Sequence, residues 1–141
     1  MEAPFETVYD PIRKARVKRT PEEEVRQSVV YYLTTQLGYP PELLANEASI
    51  TVGKVRRRCD TVVFDPRSRT PLMILEYKAP AVSLTEETLK QALEYNSVLG
   101  AKVIVLTNGR VISVCRLPSE GRAAEYLQAL PPFKELSSES F

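Results

Sequence analysis

The chain has 141 residues, 43% of them hydrophobic, and a formal net charge of +1, which is enough to bury one core and too little for a second domain. It contains no histidine, which excludes Ser-His-Asp and Cys-His hydrolases, histidine-based nucleases and zinc sites that need imidazole. Its two cysteines, Cys59 and Cys115, cannot complete a four-ligand zinc site between them, and near-neutral charge means that any nucleic-acid affinity has to come from local clusters.

Residues 1–19 hold one such cluster, Arg13, Lys14, Arg16, Lys18 and Arg19, and read as a basic arm whose charges either bind a polyanion or are simply solvated. The domain proper is expected over 20–130. Thr20 and Pro21 suit the cap and first position of a helix running to about Leu37, with Val29, Val30, Leu33 and Leu37 inward and Gly38 as its stop. Glu23 falls at the third helical position, where it serves either as a cap partner or as an acid of a site. A bend at Pro40-Pro41 and a short helical turn over 43–46 come next. Ile50–Val52 then begins a strand that turns at Gly53-Lys54 into a run from Arg56 to Asp65.

Pro66 to Pro71 is a turn with proline at each end, and Leu72–Lys78 is a further strand. Folding about that turn sets Asp60 opposite residues 76 to 78, give or take one position. Alternation puts Glu76 and Lys78 on one face and Tyr77 on the other. It also sends Arg56 and Arg58 to the Asp60 face and Arg57 away. Two opposed carboxylates repel unless neutralised; Mg²⁺, which takes carboxylate oxygens and keeps waters for a phosphate to displace, would do so. The plain alternative is a surface hairpin with an Asp60–Lys78 ion pair. Ser83 to Glu86 has the form of a capping box, and the helix it opens carries Gln91 and Tyr95 on one face, ending near Gly100. These two are either a half-buried tyrosine with an amide neighbour or groups reaching over the sheet. Lys102–Thr107 reads as a central strand, Asn108-Gly109 as a tight turn into Val111–Cys115, 122–130 as a last helix halted by Pro131-Pro132, and 131–141 as a tail with a frayed Ser-Glu end. The two strands flanking the second helix should be parallel through a right-handed crossover. Neither a signal peptide nor a bilayer-length apolar run is evident, so the expected setting is cytoplasmic, with both thiols reduced and buried.

Asp60, Glu76-Tyr77-Lys78-Ala79-Pro80, Gln91-Ala92-Leu93-Glu94-Tyr95-Asn96 and Leu106-Thr107-Asn108-Gly109 together resemble the PD-(D/E)xK nuclease superfamily. Thr20 to Gln27 and Leu37 to Pro40 are similar to the small proteins like the N-terminal nuclease domain of type I restriction enzyme R subunits. The likeness spans about Arg19 to Arg116, and it rests on the order and spacing of the motifs rather than on any one. It implies an α/β, restriction-endonuclease-like mixed sheet flanked by helices. It further implies an Mg²⁺-dependent endonuclease-like hydrolase of DNA phosphodiesters, with Mn²⁺ able to substitute. Asp60 and Glu76 match the metal-binding acids, Lys78 and Glu23 the catalytic lysine and first-helix acid, and Gln91 and Tyr95 the flanking pair. Arg56 and Arg58 are candidates for phosphate contact. Cys59 stands where the motif's name has proline, and Glu24 where relatives often carry a large aromatic. The other implied roles are a catalytically silent DNA-binding or assembly module, a homodimer, or a partner subunit of a larger restriction-modification complex.

Overall fold

The computed structural model describes residues 6–141; the first five residues of the expected basic arm lie outside the described residues. The rest of that segment is no loose arm, because β1 (Thr7–Asp10) and β2 (Ala15–Lys18) pair antiparallel. The hairpin is pinned by Asp10, fully buried, which accepts from Asn46 Nδ2 at 2.9 Å and from the Ile12 amide at 2.8 Å and pairs with Arg13. One buried carboxylate with three donors outweighs the repulsion among the surface cations around it.

α1 spans Pro21–Gln36. Thr20 caps it as its sequence suggests, Oγ1 accepting from the Glu23 amide at 3.0 Å. Thr20→Ala should lower stability by about 1 kcal/mol, read as a shift in urea midpoint at unchanged slope. A single 3₁₀ turn at Pro41–Leu43 replaces the turn expected over 43–46, because β3 begins at Leu44.

The six-stranded sheet takes its strands in chain order: β3 (Leu44–Val52), β4 (Val55–Phe64), β5 (Pro71–Tyr77), β6 (Val103–Thr107), β7 (Ile112–Arg116) and β8 (Glu125–Leu127). Only β5 and β6 are parallel, joined by α2 (Glu86–Ser97), so the sheet is mixed and helix-flanked, the expected class. Neighbouring residues split between its faces. Val63, Leu75 and Val105 pack with Val25, Val30 and Leu33 of α1, while Val62, Ile74 and Ile104 pack with Leu99, Ala101 and the α2 residue Leu93. β6 is buried on both faces, as a continuous apolar run at the centre of a covered sheet must be.

Three further expectations are corrected. α2 is capped by Thr85, not Ser83: Thr85 and Thr88 exchange side-chain and amide hydrogen bonds. Residues 122–130 hold no helix; β8 pairs with β7 instead, where Arg116 is buried and takes Glu125 at 2.8 Å. The tail is tied down: α3 (Phe133–Leu136) buries Leu136 completely, and at the Ser-Glu end Arg122 donates to the Ser140 and Phe141 carbonyls while Phe141 packs against the core. Cys59 and Cys115 are free, buried thiols, and no described helix is long and apolar enough to cross a membrane.

Candidate active site

The β4–β5 ladder runs down to the pair Thr61 and Leu75, and beyond it a side chain takes over from the backbone: the Tyr77 amide donates to Asp60 Oδ2 at 2.8 Å. The same register carried one step on sets Asp60 beside Glu76, inside the window that folding the sequence about its turn allows. Lys78 Nζ lies 3.5 Å from Glu76 Oε2. Tyr77 points to the opposite face, where its hydroxyl donates to Thr61 Oγ1 at 2.9 Å. The amide of Lys78 donates to the Thr107 carbonyl at 2.9 Å, so β6 holds the backbone under the lysine.

From α2, Gln91 and Tyr95 reach the same place. With Arg58, Glu76, Lys78 and Thr88 they line a cavity of about 380 Å³. Arg56 is solvent-exposed and does not line it. The alternation that paired Arg56 with Arg58 fails in part: the Arg57 guanidinium stacks on the Tyr95 ring at 4.5 Å and its Nε donates to the Tyr95 carbonyl at 3.1 Å. Cys59 packs on the α2 side together with Val62, which strict alternation forbids for residues three apart. The break lies at Glu47, opposite Asp60: the β3–β4 pairing passes from Asn46–Thr61 to Ala48–Cys59, and Glu47 alone in that stretch is left-handed, with φ of 55°. A local irregularity of this kind re-aims side chains beside it.

Burial raises the Asp60 carboxyl above its ordinary value, and the negative charges of Glu76 and Glu47 add to the rise, against the Tyr77 hydrogen bond and the charge of Arg26. A buried carboxylate beside a second one is a donor set of the kind that a hard divalent ion, keeping its own waters, is suited to. Among the described residues no three acidic or thiol groups gather around one point.

Glu23 is held away from that pair. Its carboxylate accepts from Arg13 at 2.6 Å, Gln27 at 2.9 Å and Arg26 at 3.1 and 3.2 Å; the carboxylate does not return to the helix cap. Arg26 stands between it and the site, donating also to the Asp60 carbonyl at 2.5 Å and to Glu47 Oε1 at 2.5 Å. Sequence reasoning missed Arg26 and Glu47. The helical spacing of Glu23 and Arg26 was a usable signal; Glu47 offered none.

Burial raises the Glu23 and Glu47 carboxyls, but hydrogen bonds from Arg13 and Gln27 to the former and from Arg26 to the latter, with the charge of Arg26, bring both below their ordinary 4.5. Depressed values stabilise the fold above the unfolded value, and that stability is lost as pH falls through the folded values. The melting temperature should therefore hold near neutrality and fall once pH drops below 4.5. Asp60, whose value is raised, works in the opposite sense, so Asp60→Asn should steepen the acid-side fall in a calorimetric pH series.

A family model described as the type I restriction enzyme R protein N terminus matches residues 21–131. Among solved structures, a fragment assigned as the HsdR subunit of a type I restriction enzyme from Vibrio vulnificus YJ016 aligns with a TM-score of 0.59 and 20% identity, over 82% of this chain and 24% of that one. A protein assigned as a nuclease of DUF820 from Anabaena variabilis ATCC 29413 aligns with a TM-score of 0.54 and 17% identity, over 97% of this chain and 88% of that one. The chain thus spans about a quarter of the Vibrio fragment, and at these identities the likeness is one of fold. No curated protein matches.

Proposed function

The chain belongs to the type I restriction enzyme R protein N-terminus family, and from that premise we propose that it is an Mg²⁺-dependent nuclease that hydrolyses phosphodiester bonds in DNA. One observation supports this above the others: Asp60 and Glu76 come side by side where β4 and β5 part, with the Lys78 amine 3.5 Å from the Glu76 carboxylate.

Asp60 and Glu76 would hold the ion. When bound, Mg²⁺ or Mn²⁺ supplies positive charge that polarises a phosphate and acidifies water. The residues of the chain do the rest. The Tyr77 amide fixes one oxygen of Asp60, leaving the other for the ion. Lys78, anchored by the β6 carbonyl of Thr107, would orient the attacking water or take its proton, and its charge would offset charge developing on the phosphate. Gln91 and Tyr95 close the α2 side of the cavity, and Arg58 offers a guanidinium to a phosphate oxygen. Glu23 would act at a distance, by setting Arg26 against the Asp60 backbone. Larger assemblies, as a homodimer or beside other restriction subunits, would set sequence preference.

Isothermal titration with Mg²⁺ or Mn²⁺ tests the ion. The wild type should bind and Asp60→Ala should lose the heat; equal heats would favour a silent DNA-binding or assembly module of the same fold. Because burial and nearby carboxylates raise the Asp60 carboxyl, protons should begin to compete with the ion at a pH above the ordinary aspartate value of 3.8, seen as affinity that weakens as the titration is repeated toward acid.

A further inference from the structure

The proposed chemistry gives Glu47 no role of its own, although it lies opposite Asp60, and its placement is unusual in three ways. Its φ of 55° interrupts β3 opposite Asp60, a conformation that glutamate adopts only when its surroundings hold it there. Each of its carboxylate oxygens takes a different arginine: Oε1 accepts from Arg26 at 2.5 Å and Oε2 from Arg58 Nε at 3.0 Å. The two arginines are also unlike each other. The Arg26 side chain is 7% exposed and is committed to Glu23, Glu47 and the Asp60 carbonyl. The Arg58 side chain is 72% exposed and, among the described residues, makes its one hydrogen bond through Nε.

An ion pair to so exposed an arginine contributes little to stability, so the stability that the buried Arg26–Glu47 link supplies does not account for the second bond, from Arg58 to Glu47 Oε2. Holding Arg58 by Nε does have a geometric effect. It restricts the guanidinium and leaves both terminal amino groups without a hydrogen bond among the described residues, so that their end-on pair of N–H groups can grip a phosphate in bidentate fashion. Arg58 lines the same cavity as Glu76 and Lys78. We infer that Glu47 is a positioning residue, which anchors itself on buried Arg26 and thereby aims the Arg58 guanidinium over the Glu76–Lys78 cavity to take a backbone phosphate of DNA. The inference rests on the proposed action at DNA but not on cleavage.

The test is a double-mutant cycle on the full chain, read by fluorescence anisotropy of a labelled duplex across a series of salt concentrations, with EDTA present so that no cutting occurs. Arg58→Ala should weaken binding several-fold and lower the slope of log affinity against log salt by about 0.9, the contribution of one phosphate contact. Glu47→Gln, which keeps size and removes charge, should reproduce most of that loss, and the double variant should be less than about twofold weaker than Arg58→Ala, because both changes disable one contact. A neutral substitution that removes a negative charge near DNA would otherwise tighten binding, so weakening is diagnostic. Losses that multiply, a Glu47→Gln variant that binds as well as wild type, an Arg58→Ala variant without effect, or a wild type that does not bind would each overturn the inference. If Glu47→Gln lacks a normal melting transition, Glu47→Asn takes its place, since asparagine accepts the left-handed backbone. Absence of cleavage in Mg²⁺ with the cycle intact would sink the nuclease reading alone; cleavage with a flat cycle would sink this one alone.

Discussion

Lys78→Ala should lower the proposed Mg²⁺-dependent nicking of plasmid DNA by about 10²- to 10⁴-fold, while metal binding and melting temperature should stay close to wild type. The separation follows from what the lysine touches. Its partner is Glu76 at 3.5 Å, with side chains 41% and 28% exposed; a pair this open to water contributes roughly 0–1 kcal/mol. Its amide bond to Thr107 is a backbone contact that alanine keeps. Asp60 and Glu76, the two carboxylates that would hold the ion, remain, and Glu76 loses a competing cation, so Mg²⁺ affinity should stay equal or rise slightly. A variant that folds, binds the ion and does not cut assigns the lysine to the chemical step. Cleavage that survives the substitution would mean that the amine is not used, or that a contaminating enzyme supplied the activity.

The site was readable from sequence to the extent that it is local. Asp60, Glu76 and Lys78 lie on two strands joined by one short turn, so counting residues about Pro66–Pro71 confined their register to a window of a few positions that includes the observed one. Gln91 and Tyr95 were within reach because a helix must return the chain from β5 to parallel β6. The unreadable part involves partners far apart in the chain. Arg26 meets Glu47 and Asp60 across separations of 21 and 34 residues, and nothing in Asn46-Glu47-Ala48 announces a left-handed glutamate. β4 departed from its pattern as well, since Arg57 stacks on Tyr95 and Cys59 packs with Val62 on the α2 side. The segment over 122–130 misled for a different reason. Its alanines and leucines favour a helix, but β7 needed an outer partner, and pairing Val114 to Arg116 with Glu125 to Leu127 satisfies those backbone groups and the buried Arg116 together. In the hairpin at 7–18 the cations were visible, whereas the buried anchor Asp10 was legible only once Asn46 was placed beside it.

The largest effect on stability is expected at Arg26. Its side chain is 7% exposed, against 6% for Glu23 and 29% for Glu47, and it joins α1, β3 and β4 by donating to Glu23, Glu47 and the Asp60 carbonyl. Arg26→Met keeps the length and apolar stem but takes the shared cation from two carboxylates, one of them deeply buried, leaving Glu23 to Arg13 and Gln27 and Glu47 to Arg58 alone. Removing one member of such a buried network costs about 3–5 kcal/mol, or a fall of roughly 10–20 °C in melting temperature for a chain of this size. The sign of the pH response distinguishes stranded charge from lost packing. In wild type the depressed Glu23 and Glu47 values add stability above 4.5; without Arg26, burial is opposed by fewer partners and both carboxyls rise, so the variant gains relative to wild type as pH is lowered and the acids take up protons. Calorimetry in a pH series should show the two melting curves converging toward acid. Combining Arg26→Met with Glu23→Gln should recover part of the loss at neutral pH, because the neutral amide no longer needs a cation. A deficit that is the same at every pH, and that the second substitution does not relieve, would show that Arg26 holds the elements together by packing, and that the charged link among α1, β3 and β4 is incidental.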